Sequence, residues 1–243
     1  MAKRKRSGSS STRRSKKRKV FGPKARRTIK TLAKQVVNRN VETKYLNKMS
    51  ENNPLYHNLW VPISHRNFDT VNGTSGGYDN IDTRVGESVR AKYLKVKLWL
   101  SNKSDRNDVI YRIVCLKYQP DLSFSAVTGN ITVQTVGATG PSILRLLNTD
   151  RYTIVFDQLV QVKNGSGMKA AATGGVMGET HKVWSKTIKL HGKKMEYQDG
   201  SDILKNQDDC YGLYIVAYDA FGTLTTDNIA SYHALIVAAF KDA

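Results

Sequence analysis

The chain has 243 residues, with 39 Lys and Arg against 20 Asp and Glu, a formal net charge of +19. Met1 to Lys48 holds 18 of those bases and one acid, Glu42, so 18 − 1 = +17 falls there and 21 − 19 = +2 on all that follows. This excludes a uniformly basic protein in favour of a near-neutral body that carries a polycationic arm. No apolar run approaches the roughly 18–20 residues of a membrane span. The N-terminus is charged from Lys3 and lacks the apolar stretch of a secretory signal, so an intracellular protein with no membrane partner is expected.

The arm comes first. Lys3, Arg4, Lys5, Arg6, Arg13, Arg14, Lys16, Lys17, Arg18 and Lys19 are packed too densely to bury anything, so residues 1–22 are expected to be disordered when free. Ser7 to Ser11 between the basic blocks add flexibility and no core. Such an arm replaces the condensed counterions of a nucleic acid, one for each phosphate neutralised. Lys16, Lys17, Arg18 and Lys19, followed by Val20, also form a nuclear-localisation cluster, a role compatible with the first. Phe21 is the one aromatic residue in the first 44, so no regular base-stacking platform is visible there and binding is expected to be largely through phosphates.

Pro23 suits a first helical turn, and Lys24 to about Tyr45 is rich in helix formers. Ile29, Leu32, Ala33 and Val36 follow the i, i+3, i+4, i+7 pattern of one narrow apolar face. Lys24, Arg26, Arg27, Lys30, Lys34 and Arg39 occupy the remainder; the first five extend the expected nucleic-acid-binding set while the stripe docks on protein. Residues 23–50 thus read as a basic amphipathic helix and linker, closed by Pro54.

From Leu55 the texture is β, and residues 51–243 read as one domain. A first strand is expected over 57–63, held at an edge by Pro62. In 89–100, Leu94, Val96, Leu98 and Leu100 alternate with Lys95, Lys97 and Trp99, the period of a sheet with one wet face. Residues 109–118 are apolar on both faces around Arg112, which predicts a central strand covered on each side. Further strands are expected over 151–162, 183–190, 195–198, 211–218 and 232–240, with a short helix over 141–147. Long loops over 69–86, 121–140, 164–180 and 199–210 separate them. Eight strands without βαβ alternation read as an all-β antiparallel sandwich; the count is that of a jelly roll, and other sandwiches share the texture.

No catalytic arrangement stands out. The five histidines include no His-x-His and no i, i+4 pair, no P-loop or Cys-x-x-Cys is present, and Asn164 to Gly167 lack a nucleophile-elbow setting. Asp199, Asp202, Asp208 and Asp209 do not match an EF-hand loop and read as a solvated loop, with interface Ca²⁺ as the alternative. Cys115 and Cys210 sit in separate apolar runs and read as buried free thiols. No catalytic residue, metal site or cofactor is expected.

Arg84 to Leu98, Leu144 to Asp157, Lys186 to Tyr197 and Tyr211 to Asp219, in that order behind a basic arm and helix, resemble the capsid proteins of the circovirus-like group of small circular single-stranded DNA viruses. The plan is also similar to the single jelly roll of the satellite tobacco necrosis virus coat protein. That resemblance implies strands B to I at about 56–63, 89–101, 109–118, 151–162, 182–190, 195–198, 211–219 and 231–240. It also implies a closed T=1 icosahedral shell of about sixty copies, with the arms inside. Sixty arms of +17 carry about a thousand charges, the scale of a very small single-stranded genome. The implied partners are further copies of the chain, a single-stranded DNA genome (an RNA genome would suit the arm equally) and host nuclear import machinery. The implied locations are the virion and, during assembly, the host nucleus. Two other readings stand beside it. One is a cellular basic-tailed nucleic-acid-binding β-domain, such as a ribosomal or chromatin component, and the other is a β-sandwich enzyme with a nuclear tag.

Overall fold

The computed structural model describes residues 22–40, 42–68, 84, 87–103, 105–106, 108–118, 122–133, 140–163, 181–198, 203–205, 210–220 and 224–242. The chain divides into two units, Met1–Val41 and Glu42–Ala243. In the first, helix α1 spans Pro23–Asn40. The second holds eight strands: β1 (Lys44–Tyr56), β2 (Trp60–Ser64), β3 (Ser88–Asn102), β4 (Asp108–Tyr118), β5 (Thr153–Lys163), β6 (His181–Glu196), β7 (Cys210–Asp219) and β8 (Asn228–Asp242).

The strands form two four-stranded sheets, ordered β1-β8-β3-β6 and β2-β7-β4-β5, with every ladder antiparallel. Four of the pairs are β1·β8, β2·β7, β3·β6 and β4·β5, so the first half of the chain runs back along the second as one long hairpin. Rolling that hairpin adds β3·β8 and β4·β7 and splits it into two sheets. This is the double Greek key of a jelly roll.

Alternation decides what lies between the sheets. Leu94, Val96, Leu98 and Leu100 of β3, with Ile236, Ala238 and Phe240 of β8, face Tyr111, Ile113 and Cys115 of β4 and Leu213, Ile215 and Ala217 of β7, all buried. Each fully buried aliphatic or aromatic side chain contributes about 1.5–3 kcal/mol. Polar groups that enter this core are satisfied: Tyr111 donates to Asn102 Oδ1 at 2.7 Å, and Asn102 donates to the Val162 carbonyl at 2.9 Å. Cys115 and Cys210 are buried free thiols, as expected, and burial pushes the Cys115 thiol up.

The two sheets differ on their far sides. Most outward positions of the β1-β8-β3-β6 sheet are wet or half-wet, among them Lys97, Trp99, Val183 and His233, with Ala239 buried between Tyr45 and Tyr93. The β2-β7-β4-β5 sheet is instead covered by the chain between β4 and β5, which contains helix α2 (Phe124–Thr128) and a 3-10 turn at Ser142–Leu144. Arg112, outward on β4, clamps that cover. Its Nε and Nη2 donate to Asp157 at 2.8 and 2.6 Å, and its Nη1 donates to the carbonyls of Ser142, Ile143 and Arg145 at 3.3, 3.0 and 2.6 Å. Asn58, held at φ 58, adds a second anchor, accepting from the Ser142 N–H at 2.6 Å. This explains why the central strand β4 is apolar on both faces around a single arginine.

Several expected boundaries move. The edge strand β1 takes in residues 44–54, expected as helix end and linker, so the β unit begins at Glu42 and not at residue 51. Its Lys-, Asn- and Pro-rich sequence is tolerated because an edge strand pairs on one side only, here with β8. The expected first strand shortens to β2, with Pro62 at the sheet edge as predicted. Strands expected separately at 183–190 and 195–198 are one strand, β6; His191 (φ 51) and Gly192 (φ 76) form a bulge in it, where the register against β3 shifts. In consequence B is β1 and C is β2, while the strands first assigned to C, D and E are D, E and F. The strands expected as F and G are together the single strand G, β6, and H and I stand. The expected helix over 141–147 contracts to the 3-10 turn Ser142–Leu144, and α2 lies in what was read as plain loop.

Candidate nucleic-acid interface

Lys3 to Lys19, including the nuclear-localisation cluster Lys16 to Lys19, lie outside the described residues, as do Asp199, Asp202, Asp208 and Asp209. The remaining predicted binding residues, Lys24, Arg26, Arg27, Lys30 and Lys34, all lie in α1, and the first four are exposed. At about 100° per residue, Arg26, Arg27 and Lys30 fall within one arc of the helix. Ile29, Leu32 and Val36 form an adjoining, exposed stripe.

The electrostatics of α1 run against helix stability. Its first turn contains no acid, and Lys24, Arg26 and Arg27 stand there instead, beside the positive end of the macrodipole. Each misplaced cation costs about 0.3–1 kcal/mol when exposed. Local bonds offset part of this: Arg26 N–H donates to the Gly22 carbonyl at 3.0 Å, and the Thr28 and Thr31 hydroxyls donate to the carbonyls of Lys24 and Arg27 at 3.2 and 2.9 Å. A bound phosphate would turn the repulsion into attraction, since both the cations and the helix terminus favour an anion.

In the β unit, a cleft of about 360 Å³ opens where β1 and β2 edge their sheets, lined by Lys48, Ile63, Ser64, His65, Arg66 and Ile236 among others. Lys48 Nζ donates to the carbonyls of His65 and Arg66 at 3.1 and 2.8 Å, tying the two edges together. Burial, and then the charges of Arg66 and Lys48, lower the His65 pKa to about 4, so its imidazole is neutral at pH 7 and hydrogen-bonds the Tyr118 hydroxyl. These groups are occupied with structure. Among the described residues no three or more His, Cys, Asp or Glu come together as a metal site, and no helix is long and apolar enough to cross a membrane.

No protein-family model matches the chain, and no curated protein matches it. Among solved structures, it is similar to VP1 of Trichodysplasia spinulosa-associated polyomavirus in complex with 3'-sialyllactose, at 11% identity and a TM-score of 0.24, covering 83% of this chain and 96% of that one. It is also similar to the VP1 pentamer of Human Polyomavirus 6, at 8% identity and a TM-score of 0.22, covering 83% and 94%. Scores of this size carry no argument about function; the jelly roll rests on the strand order itself.

Proposed function

We propose that this chain is a viral capsid protein that self-assembles and packages a single-stranded genome through its basic N-terminal arm. The observation that carries the reading is segregation of charge: +17 lies in residues 1–48, and a near-neutral eight-stranded jelly roll follows. Lys3 to Lys19, with Lys24, Arg26, Arg27, Lys30 and Lys34, neutralise phosphates without reading sequence. Lys16 to Lys19 also address the chain to the nucleus, which favours a DNA genome of the circovirus-like kind over RNA. A closed T=1 shell of about sixty copies matches this single-domain plan.

Support for self-association comes from the cover held by Arg112. It presents Leu144 and Leu146 at 74% and 78% exposure, more than a monomer has reason to keep in water. Contact with a neighbouring copy would bury them.

The deciding experiment is sedimentation and electron microscopy of the purified full-length chain, with absorbance at 260 and 280 nm, beside a chain cut to residues 42–243. Closed shells containing nuclease-sensitive single strands are expected from the full chain. The shortened one should stay folded and lose most of its nucleic-acid affinity and salt dependence. A full-length protein that stays small when nucleic acid is added would replace this reading with a cellular basic-tailed binding module. Undiminished binding by the shortened chain would refute the role of the arm.

A further inference from the structure

We infer that the outward face of the β1-β8-β3-β6 sheet is a second nucleic-acid contact, a stacking and phosphate platform for single strands that works alongside the arm. The inference rests on the reading that the chain binds nucleic acid, and extends it to the folded domain, whose near-zero net charge conceals an uneven distribution.

The ladder register fixes which side chains share this face. Arg90, Lys95 and Lys97 point outward on β3, Lys189 and Lys194 on β6, and Lys241 on β8, each from a position paired opposite another outward residue. Against these six cations the paired outward positions hold one acid, Glu196, which is bonded to Lys194 at 2.6 Å. Lys95 and Lys97 are about 7 Å apart, as same-side neighbours on a strand must be.

Aromatic groups are interleaved with the charge. Trp99 is 44% exposed, and its ring stacks on His181 of β6, with centroids 4.2 Å apart and planes 13° from parallel. At the other end of the face Tyr93 and Tyr45 of β1 flank Ala239, to which both are paired, and Tyr45 is exposed. A sheet face that combines exposed, pre-oriented aromatic rings with lysines is suited to splayed bases and the phosphates between them. A second copy of the chain is the poorer occupant. Lysine is depleted at protein–protein interface cores, and two such faces brought together would each carry six cations against one acid.

The test uses the full-length chain and a fluorescent 20-nucleotide oligothymidylate, with Kd measured across a salt series. Trp99→Ala removes one stacking surface and should raise Kd about fivefold or more. Lys95→Ala with Lys97→Ala removes two phosphate contacts and should lower the slope of log K against log salt by about 1.4. Lys163→Ala, at the exposed end of β5, should change neither. All these side chains are solvent-accessible, and a matching circular-dichroism melt establishes that each variant is folded. If the wild-type chain binds while Trp99→Ala and the lysine pair keep its Kd and slope, the platform is refuted and the arm stands. If the wild-type chain does not bind, both readings fall. Variants that alter sedimentation and leave affinity unchanged would assign the face to another copy and refute the inference.

Discussion

Arg112 offers the sharpest test of how the jelly roll is held together. Arg112→Met keeps the buried stem on β4 but removes two bonds to Asp157 and three to the carbonyls of Ser142, Ile143 and Arg145. Breaking a buried ion pair by removing one partner costs about 3–5 kcal/mol. Here the arginine side chain is 9% exposed but the Asp157 side chain is 34% exposed, so the orphaned carboxylate can turn to water, and a value near 3 kcal/mol is expected. For a unit of this size each kcal/mol shifts Tm by about 2–4 °C, which gives a drop of roughly 6–12 °C by calorimetry. Asp157→Asn should cost less, because the guanidinium keeps its three carbonyls. Only the arginine variant releases the cover, so amide exchange in residues 142–147 should accelerate in Arg112→Met far more than in Asp157→Asn. A Tm drop below about 2 °C, or equal exchange in the two variants, would refute the clamp.

Two further outcomes follow from single residues. A Cβ on Gly212 of β7 would lie 2.6 Å from Tyr118 Cε1 and 2.9 Å from Tyr214 Cε2, with rigid rings on both sides, so Gly212→Ala should destabilise by about 1–3 kcal/mol in a urea melt. No loss would mean that the two tyrosines yield. His65 has a folded-state pKa near 4 against 6.5 unfolded, so between those values the unfolded chain binds the proton more readily. Its contribution is complete above pH 6.5 and disappears as pH falls towards 4, an effect of about 1–2 kcal/mol after allowing for its partly wet setting. His65→Gln should therefore flatten the fall in stability from pH 6.5 to 4, and an unchanged profile would show that other groups set it. His57, also lowered by burial, contributes in the same direction.

Strands whose burial pattern is written in their own residues were legible in the sequence. Leu94, Val96, Leu98 and Leu100 announce β3; β4 and β7 show as continuous apolar runs because both their faces are covered, and β8 shows through Ala234, Ile236, Ala238 and Phe240 on its buried face. β1 was not legible: Lys44 to Tyr56 has little apolar content, and its strand state comes from pairing with β8, which no local pattern reports. The break at His191 and Gly192 read as a turn because a positive-φ pair serves a hairpin and a bulge equally well, and only the register against β3 distinguishes them. At the candidate site, the cations of α1 were visible by counting. The sheet platform was half visible: Lys95, Lys97 and Trp99 read as a wet face, but the stacking of His181 on Trp99 joins residues from two strands.

The long-hairpin pairing also sets a timetable for synthesis. Among the described residues β8 is the last strand to be made, yet it lies between β1 and β3 and is the one strand paired with β1. Tyr45 must wait for Ala239, 239 − 45 = 194 residues later, an interval of roughly 10–40 s at 5–20 residues per second. Over that interval the β1-β8-β3-β6 sheet lacks its central β8, whereas the β2-β7-β4-β5 sheet has all its strands once Asp219 is made. The basic residues 3–19, by contrast, are made before any strand. On the proposed function, polynucleotide contact can thus precede folding and hold neighbouring nascent chains together before either has a finished surface.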